Sequence, residues 1–145
     1  MYELTRISEI QRVPPDGTAA TTWTLAAGTS AVNSGEVDLQ ASNAYTWFIG
    51  LGAVTGSGTF SAQVEHSDAS GSGFTAITGK VAAINGGSAD SSKILAIDVN
   101  EPVRRYHRLA ITRGVANSVI DYVMAVKFRR AQPPTQGATV EAAVL

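Results

Sequence analysis

The chain has 145 residues, a length that suits one domain with a single hydrophobic core. It is 44% hydrophobic but only 16% charged, whereas an average soluble domain carries about 25% charged residues. The chain has no cysteine, which excludes disulfides and thiolate metal sites, and it has no apolar run near the ~18 residues of a membrane helix. This composition predicts one domain, part of whose surface is covered by something other than water.

Proline pairs lie near both ends of the chain. Pro14 and Pro15 remove two backbone hydrogen-bond donors and fix φ, so neither a helix nor the interior of a sheet can continue through them. Pro133 and Pro134 precede a tail of small residues. The predicted organisation is an N-terminal arm over residues 1–17, a folded domain over residues 18–130 and a C-terminal arm over residues 131–145.

Strand-like runs between the arms alternate with clusters of Gly, Ser, Asn and Asp at short spacing. This pattern is typical of a β-sandwich or jelly roll, because helices would show a longer apolar period of 3.6 residues. The glycine-rich clusters supply the positive φ that hairpin turns require. We therefore predict an all-β fold, a single β-sandwich or jelly-roll domain of about eight antiparallel strands. The predicted strands are residues 22–26, 36–40, 45–51, 59–67, 74–78, 93–99, 103–113 and 118–129.

Alternation along one strand predicts which of its faces is buried. Phe60, Ala62, Val64 and His66 share one face of the strand over residues 59–67, and the opposite face is polar. This strand should therefore have one face in water.

The strands over residues 45–51 and 118–129 are apolar on both faces. Strict alternation in the later strand places Val123 on one face and Ile120 with Tyr122 on the other. Such a strand is either central in a covered sheet or has one face buried against another chain.

Charge is segregated along the chain, although the net charge is only −1. Residues 1–103 contain ten acidic and four basic groups, whereas residues 104–130 contain seven basic groups and Asp121 as the sole acid. Either the basic segment meets a charged partner, or neighbouring strands bring its arginines beside the acids of residues 1–103. The candidate protein-interface residues are Arg104, Arg105, Tyr106, Arg108, Arg129 and Arg130, together with Pro14, Pro15, Pro133 and Pro134.

Residues 103–112 mix basic and aromatic side chains, as single-stranded nucleic-acid platforms do. The slightly negative net charge and the lack of an aromatic array argue against nucleic-acid binding. We expect these arginines to pair bidentately with carboxylates, either of a neighbouring subunit or of this chain's own acidic strands.

Few residues form a pattern that supports catalysis. His66 and His107 lack a second ligand at metal-binding spacing, and no serine lies in a nucleophile elbow. Glu36 and Asp38 lie two residues apart on one strand face, and a solvated strand face explains them better than a pair of glycosidase carboxylates does. The acidic residues are too sparse for a calcium-binding loop. We predict a non-enzymatic domain with no catalytic residue, no cofactor and no metal.

Two segments carry a family resemblance. Residues 64–77 read VEHSDASGSGFTAI, and residues 105–112 read RYHRLAIT. The first resembles the strand, "E-x-S-D-x-x-G-x-x-F" loop and return strand of small β-sandwich proteins encoded among the head genes of tailed bacteriophages, and the second resembles their "R-Y-x-R-v-x-v-T" strand. With the order of the strands, the resemblance covers residues 20–130. In the hairpin of the first segment, Phe74 and Ile77 are expected to return to the core.

The resemblance implies a virion structural protein of the capsid-decoration, or cement, type. Such a protein binds the exterior of the phage head and ties major capsid subunits together. Its implied partners are the major capsid protein and copies of itself in a dimer or trimer, with no nucleic acid and no membrane. The start of the chain lacks the form of a signal peptide, so synthesis in the cytoplasm of a host bacterium is expected.

A carbohydrate-binding module is the main alternative. The "R-Y-x-R-v-x-v" strand also recurs in discoidin-like and related carbohydrate-binding jelly rolls, in which loop aromatics stack on sugar rings. Trp23 and Trp47 both lie in predicted strands rather than in loops, which argues against this alternative. A tail or fibre component of the same virus is also left open.

Overall fold

A computed structural model describes residues 8–15, 23–25, 32–40, 42–85, 87–114 and 118–129. This part of the chain is almost entirely β, with a single 3-10 turn over Gly87–Asp90. The strands are β1 (Ser8–Arg12), β2 (Trp23–Leu25), β3 (Val32–Asn33), β4 (Val37–Asp38), β5 (Ser42–Val54), β6 (Phe60–Ser67), β7 (Thr75–Ile84), β8 (Ile94–Asn100), β9 (Tyr106–Arg113) and β10 (Ser118–Arg129).

The described strands form two antiparallel sheets of five strands each. Sheet I has the order β1-β10-β5-β8, with β2 also paired to β10. Sheet II has the order β3-β9-β6-β7, with β4 also paired to β9. The two sheets enclose one core, so the predicted all-β sandwich is confirmed.

Each of the eight predicted strands overlaps an observed one, but two short strands were not predicted. One of them, β1, lies within the residues expected to form the N-terminal arm. It pairs with β10 from Ser8 opposite Phe128 to Arg12 opposite Met124. The prolines stop a strand only at their own positions, so the five residues before Val13 remain able to pair.

The segment around Pro14 and Pro15 links the two sheets and does not form a free arm. The preceding residue, Val13, is 1% exposed in the core, and its N–H donates to the carbonyl of Val123 at 2.9 Å. The Pro14 carbonyl accepts a hydrogen bond from the N–H of Gly35 at 2.8 Å, and Pro15 forms an isolated bridge with Ser34. Arg130, Pro133 and Pro134, like most of the two predicted arms, lie outside the described residues.

The core is formed by the inward-facing side chains of both sheets. In β6 the alternation holds as predicted, since Phe60, Ala62 and Val64 are at most 1% exposed, while His66 is half-buried. The largest fully buried side chains include Trp47, Tyr45, Phe60, Ile49, Leu51, Leu109, Ile111 and Ile120.

A β-bulge in β10 overturns the face predicted for Ile120. Ile120 lies opposite Leu51 and Tyr122 lies opposite Gly50, so Asp121 is an extra residue on β10. A bulge of this kind shifts the alternation by one residue. Ile120 is therefore fully buried in the same core as Val123, while Tyr122 lies on the outer face.

A second irregularity interrupts β7. Gln63 lies opposite Val81, whereas Glu65 lies opposite Ala76, so residues 77–80 leave the ladder with β6. The side-chain Nε2 of Gln63 lies 2.7 Å from the carbonyl oxygen of Ile77 and 3.0 Å from that of Lys80. The Gln63 amide thus satisfies backbone acceptors that the bulge removes from the ladder.

Candidate functional site

Three of the predicted interface arginines, Arg104, Arg105 and Arg108, lie on or just before β9, at one end of sheet II. His107 and Leu109 point into the core, whereas Tyr106 and Arg108 point outward. Together with Arg104 and Arg105, these outward residues form the arginine cluster, whose members are Arg104, Arg105, Tyr106 and Arg108.

Arg105 forms a bidentate pair with Asp38 on the neighbouring strand β4. Its Nε lies 2.9 Å from Oδ1 and its Nη2 lies 2.6 Å from Oδ2. The guanidinium also lies 4.9 Å from the centre of the Tyr106 ring. The hydrogen bond from Arg105 lowers the pKa of Asp38. The pairing is therefore with this chain's own acidic strand, as one of the two sequence alternatives predicts.

Arg108 connects the two segments that carry the family resemblance. Its Nε donates to Oε2 of Glu65 at 2.8 Å, and its guanidinium lies 4.2 Å from the centre of the Phe74 ring. Phe74 is half-buried beneath Arg108 and is not part of the core, which corrects the expected position. Ile77 packs against the core as expected.

The turn between β6 and β7 is held by its own polar residues. Ser67 Oγ donates to the carbonyl of Ser72 at 2.6 Å, and it accepts from the N–H of Ala69 at 3.1 Å. Gly71 and Gly73 have φ of 75° and 69°, which glycine adopts without strain. Arg104 reaches this region, with Nη1 3.3 Å from Oγ1 of Thr75. The polar contacts of Ser67 thus fix the shape of the turn, and Arg104 connects it to the start of β9.

We expect replacing Arg108 with Met to lower the free energy of unfolding by about 1 kcal/mol, because Glu65 would lose its partner in a half-buried position. Urea unfolding at neutral pH would measure the change. The control is Arg104→Met, whose side chain is 36% exposed and whose partner Asp68 lies 3.7 Å away; it should change stability by less than about 0.5 kcal/mol. Equal losses in the two variants would contradict a specific role for Arg108.

A cleft of about 200 Å³ opens beside Arg108. Ser34, Glu36, Gly71, Phe74 and Arg108 line it. The Glu36 carboxylate accepts hydrogen bonds from the Ser70 hydroxyl and from the N–H of Gly71, the latter at 2.9 Å. We call this the Glu36–Arg108 cleft. It combines a carboxylate, a guanidinium and an aromatic ring, which are groups that bind hydroxyl-rich ligands.

Sequence reasoning did not predict this cleft. From the sequence, Glu36 is expected to be a solvated carboxylate, and no pattern places Ser34 or Gly71 beside it. The chain around Glu36 has no periodic pattern, and its contact with the β6–β7 turn spans 35 residues of sequence. No local signal could have shown it.

Tyr45 and His107 form a buried hydrogen bond between the sheets. The Tyr45 hydroxyl lies 2.6 Å from Nδ1 of His107, and Nε2 of His107 lies 2.9 Å from the carbonyl oxygen of Arg104. A carbonyl only accepts, so Nε2 carries the proton and Nδ1 accepts from the tyrosine. Burial lowers the pKa of His107 to about 4 and raises that of Tyr45. The pair is neutral at pH 7, as a structural buried pair should be.

The outer face of sheet I is rich in apolar side chains. Ile10, Phe48, Tyr122 and Met124 are half-buried, and Ile94 is 61% exposed. We call these five residues the apolar outer face. Phe48 lies opposite Met124, and Gly50 lies between Tyr122 and Ile94, whereas Ile10 lies opposite Val126, two residues along β10 from Met124. The face therefore extends across β1, β10, β5 and β8.

The remaining predicted interface residue, Arg129, ends β10 with its backbone opposite Ser42. Within the described ranges, no group of three or more His, Asp or Glu side chains is arranged to hold a metal ion. The same ranges contain no helix of the length and apolar character needed to cross a membrane.

No protein-family model matches this chain, and no curated protein matches its sequence. Solved structures do resemble it. A structure of the carbohydrate-binding module CBM4 matches with a TM-score of 0.53 at 10% identity, covering 79% of this chain and 77% of that one. An Eiger TNF from S. frugiperda matches with a TM-score of 0.44 at 10% identity, covering 91% of this chain and 99% of that one.

A chitosan-binding module from a chitosanase/glucanase of Paenibacillus sp. IK-5 matches with a TM-score of 0.41 at 17% identity, covering 85% of this chain and 98% of that one. At such identities a likeness concerns fold, because one fold serves many functions. The chain has a β-sandwich fold similar to that of the CBM4 module.

Proposed function

We propose that this chain is a non-enzymatic structural protein that decorates a bacteriophage capsid and binds its partner through the apolar outer face of sheet I. The observation that carries the proposal is this face. A contiguous row of large apolar side chains on the outside of a sandwich is typical of a protein–protein contact. The family resemblance of residues 64–77 and 105–112 supports a capsid as the partner.

The composition supports a face that is covered in the assembled state. Only 16% of the residues are charged, and interface centres are depleted of charge and enriched in aromatic residues and Met. The apolar outer face has this composition, since Phe48, Tyr122 and Met124 lie on adjacent strands. Arg104, Arg105 and Arg108 each contact acidic residues within this chain, so the proposal places the main contact on sheet I.

Met124→Lys tests this assignment. The substitution places an unpaired charge in the proposed contact, so we expect affinity for undecorated heads of the encoding virus to fall at least tenfold. Cosedimentation with heads would measure it, and light scattering would follow self-association. The control is Thr78→Lys, at an exposed position on sheet II, which should bind like the wild type. Unchanged binding by a folded Met124→Lys protein would contradict the proposal.

The second candidate function is carbohydrate binding, and the likeness to solved structures favours it over capsid decoration. The fold resembles that of the CBM4 module. The Glu36–Arg108 cleft offers hydrogen-bonding groups beside the ring of Phe74. Against this candidate, Trp47 is fully buried, and arginines lie over the rings of Tyr106 and Phe74.

A glycan array with purified protein discriminates between the candidates. Capsid decoration predicts no saturable sugar binding. Saturable sugar binding that is lost in Glu36→Ala and kept in Met124→Lys would support carbohydrate binding at the Glu36–Arg108 cleft and contradict capsid decoration.

A further inference from the structure

Strand β8 lies at the border of sheet I, where it pairs with β5 over its whole length without a register shift. Among the described strands, β7 of sheet II contacts β8 but shares no ladder with it. Ser92 and Glu101 have φ of 62° and 52°, so the extended chain ends just beyond both ends of the strand. A regular strand of seven residues therefore lies along this border.

The hydrogen bonds between β8 and β5 use alternate residues of β8. Beyond one end of the strand the N–H of Leu51 donates to the carbonyl of Lys93 at 2.8 Å, and beyond the other the N–H of Glu101 donates to the carbonyl of Asn43 at 2.9 Å. In an antiparallel ladder, hydrogen-bonded pairs alternate with pairs that are not hydrogen-bonded. The odd-numbered residues of β8 therefore bond to β5, and the even-numbered ones direct their N–H and C=O groups onto the border. These outward residues are Ile94, Ala96, Asp98 and Asn100.

The border of β8 is accessible to a further strand. The side chains of its four outward residues are exposed, and β8 contains neither a proline nor a bulge. Its one charged side chain, Asp98, accepts a hydrogen bond from Oγ1 of Thr46 on β5 at 2.6 Å. Within the described ranges, none of the backbone hydrogen bonds formed outside the ladders reaches the outward groups. A border of this kind favours pairing with another strand.

The strand is complementary to itself in an antiparallel arrangement. A two-fold axis at Ile97 brings the outward residues of two copies opposite one another, so every outward N–H and C=O of β8 gains a partner. The pairs, each formed twice, are Ile94 with Asn100 and Ala96 with Asp98.

The charges at the ends of β8 favour this register. Lys93 lies opposite Glu101 of the other copy at each end of the ladder, so charges of opposite sign meet. Lys93 contacts Asp90 within its own chain, yet its side chain remains 55% exposed. An axis at Asp98 would instead place two carboxylates directly opposite each other, which is destabilising.

We infer that two copies of this chain form a dimer by pairing β8 with β8, so that sheet I continues from one copy into the other. The two-fold axis is perpendicular to the sheet, and the apolar outer faces of both copies therefore lie on the same side of the dimer. The contact consists of strand borders and leaves the Glu36–Arg108 cleft and most of the apolar outer face uncovered. The inference does not depend on either proposed function.

Ala96→Pro tests the inference by removing an N–H that the dimer uses and the single chain does not. Proline is tolerated on an edge strand where the N–H faces solvent, so the variant should still fold. Ala96→Val is the matched control, because it keeps the N–H at the same position. In sedimentation equilibrium of the full chain, the wild type and Ala96→Val should be dimers. The dissociation constant of Ala96→Pro should be at least tenfold higher, because two hydrogen bonds are lost per dimer.

Hydrogen exchange of the wild type, followed by NMR, makes the test independent of any variant's folding. On dilution from dimer to monomer, the amides of the outward residues should exchange faster, whereas those of Leu95, Ile97 and Val99 stay bonded to β5. Stacking through the apolar outer face would not produce this alternation. Met124→Lys should keep the dimer, so a failure of capsid binding and a failure of this dimer are separate results.

Three results would each overturn the inference. The first is a wild type that is not a dimer. The second is an Ala96→Pro variant that dimerises as tightly as Ala96→Val. The third is exchange of the outward amides that does not depend on protein concentration.

Discussion

Lowering the pH from 7 to 4 is expected to reduce the free energy of unfolding by up to about 3 kcal/mol through His107 alone. Burial lowers its pKa from 6.5 to about 4 in the folded chain. Between pH 6.5 and pH 4, His107 is protonated in the unfolded chain but mostly neutral in the folded chain. The stabilisation is therefore complete above pH 6.5, declines as the pH falls, and changes no further below about pH 4.

Urea unfolding at pH 7, 5.5 and 4.5 would measure this loss. In His107→Gln the side chain stays neutral, so most of the pH dependence in this range should disappear, whatever the variant's stability at pH 7. His66→Gln is the comparison: burial and Arg104 also lower the pKa of His66, but His66 is only half-buried, so this variant should lose a smaller part of the pH dependence than His107→Gln. Asp38 titrates below this range, since Arg105 lowers its pKa from 3.8. Equal pH dependence in wild type and His107→Gln would show that another group is responsible.

Gly50→Ala is expected to destabilise the fold by about 2–3 kcal/mol, because the ring of Tyr122 lies directly on this glycine. A Cβ at residue 50 would lie 2.2 Å from Cε1 and 2.4 Å from Cζ of the ring. The two residues are cross-strand partners in the centre of sheet I, so neither backbone can move away without disturbing its ladder. The ring must instead leave the outer face.

A double-mutant cycle with Tyr122→Ser isolates this contact. In the Tyr122→Ser background, Gly50→Ala should barely change the free energy of unfolding. The coupling free energy between the two substitutions is therefore expected to be about 2 kcal/mol. Gly52→Ala serves as the control on the same strand, because its Cβ would meet Oδ1 of Asp121 at 2.6 Å, and that side chain is exposed and can rotate. A coupling near zero between residues 50 and 122 would contradict the packing described here.

The sequence predicted the sandwich because alternation and turn chemistry are local properties. Strand β6 shows this most clearly, with a regular apolar face that is buried as expected. The face of Ile120 was predicted wrongly, because one extra residue at Asp121 shifts the alternation and leaves no mark in composition. Strand β1 was not predicted because it depends on pairing with β10, which lies more than 100 residues away in the sequence.

The partners of the arginines could be predicted only as a choice between two alternatives. Charge segregation predicts that Arg105 and Arg108 pair with carboxylates, either of a partner or of this chain. Which carboxylates they contact depends on which strands lie beside β9. The fold places β4 and β6 there, and these strands supply Asp38 and Glu65.

The interruption of β7 has a consequence for how copies of this protein meet. An unbroken outermost strand offers a row of free amide and carbonyl groups on which a second molecule can anneal, and repetition of that step builds fibrils. In β7, residues 77–80 depart from the ladder and the amide of Gln63 engages their carbonyls, so this border of the sandwich presents no regular template. Regular strand addition is therefore disfavoured along residues 77–80 of this border.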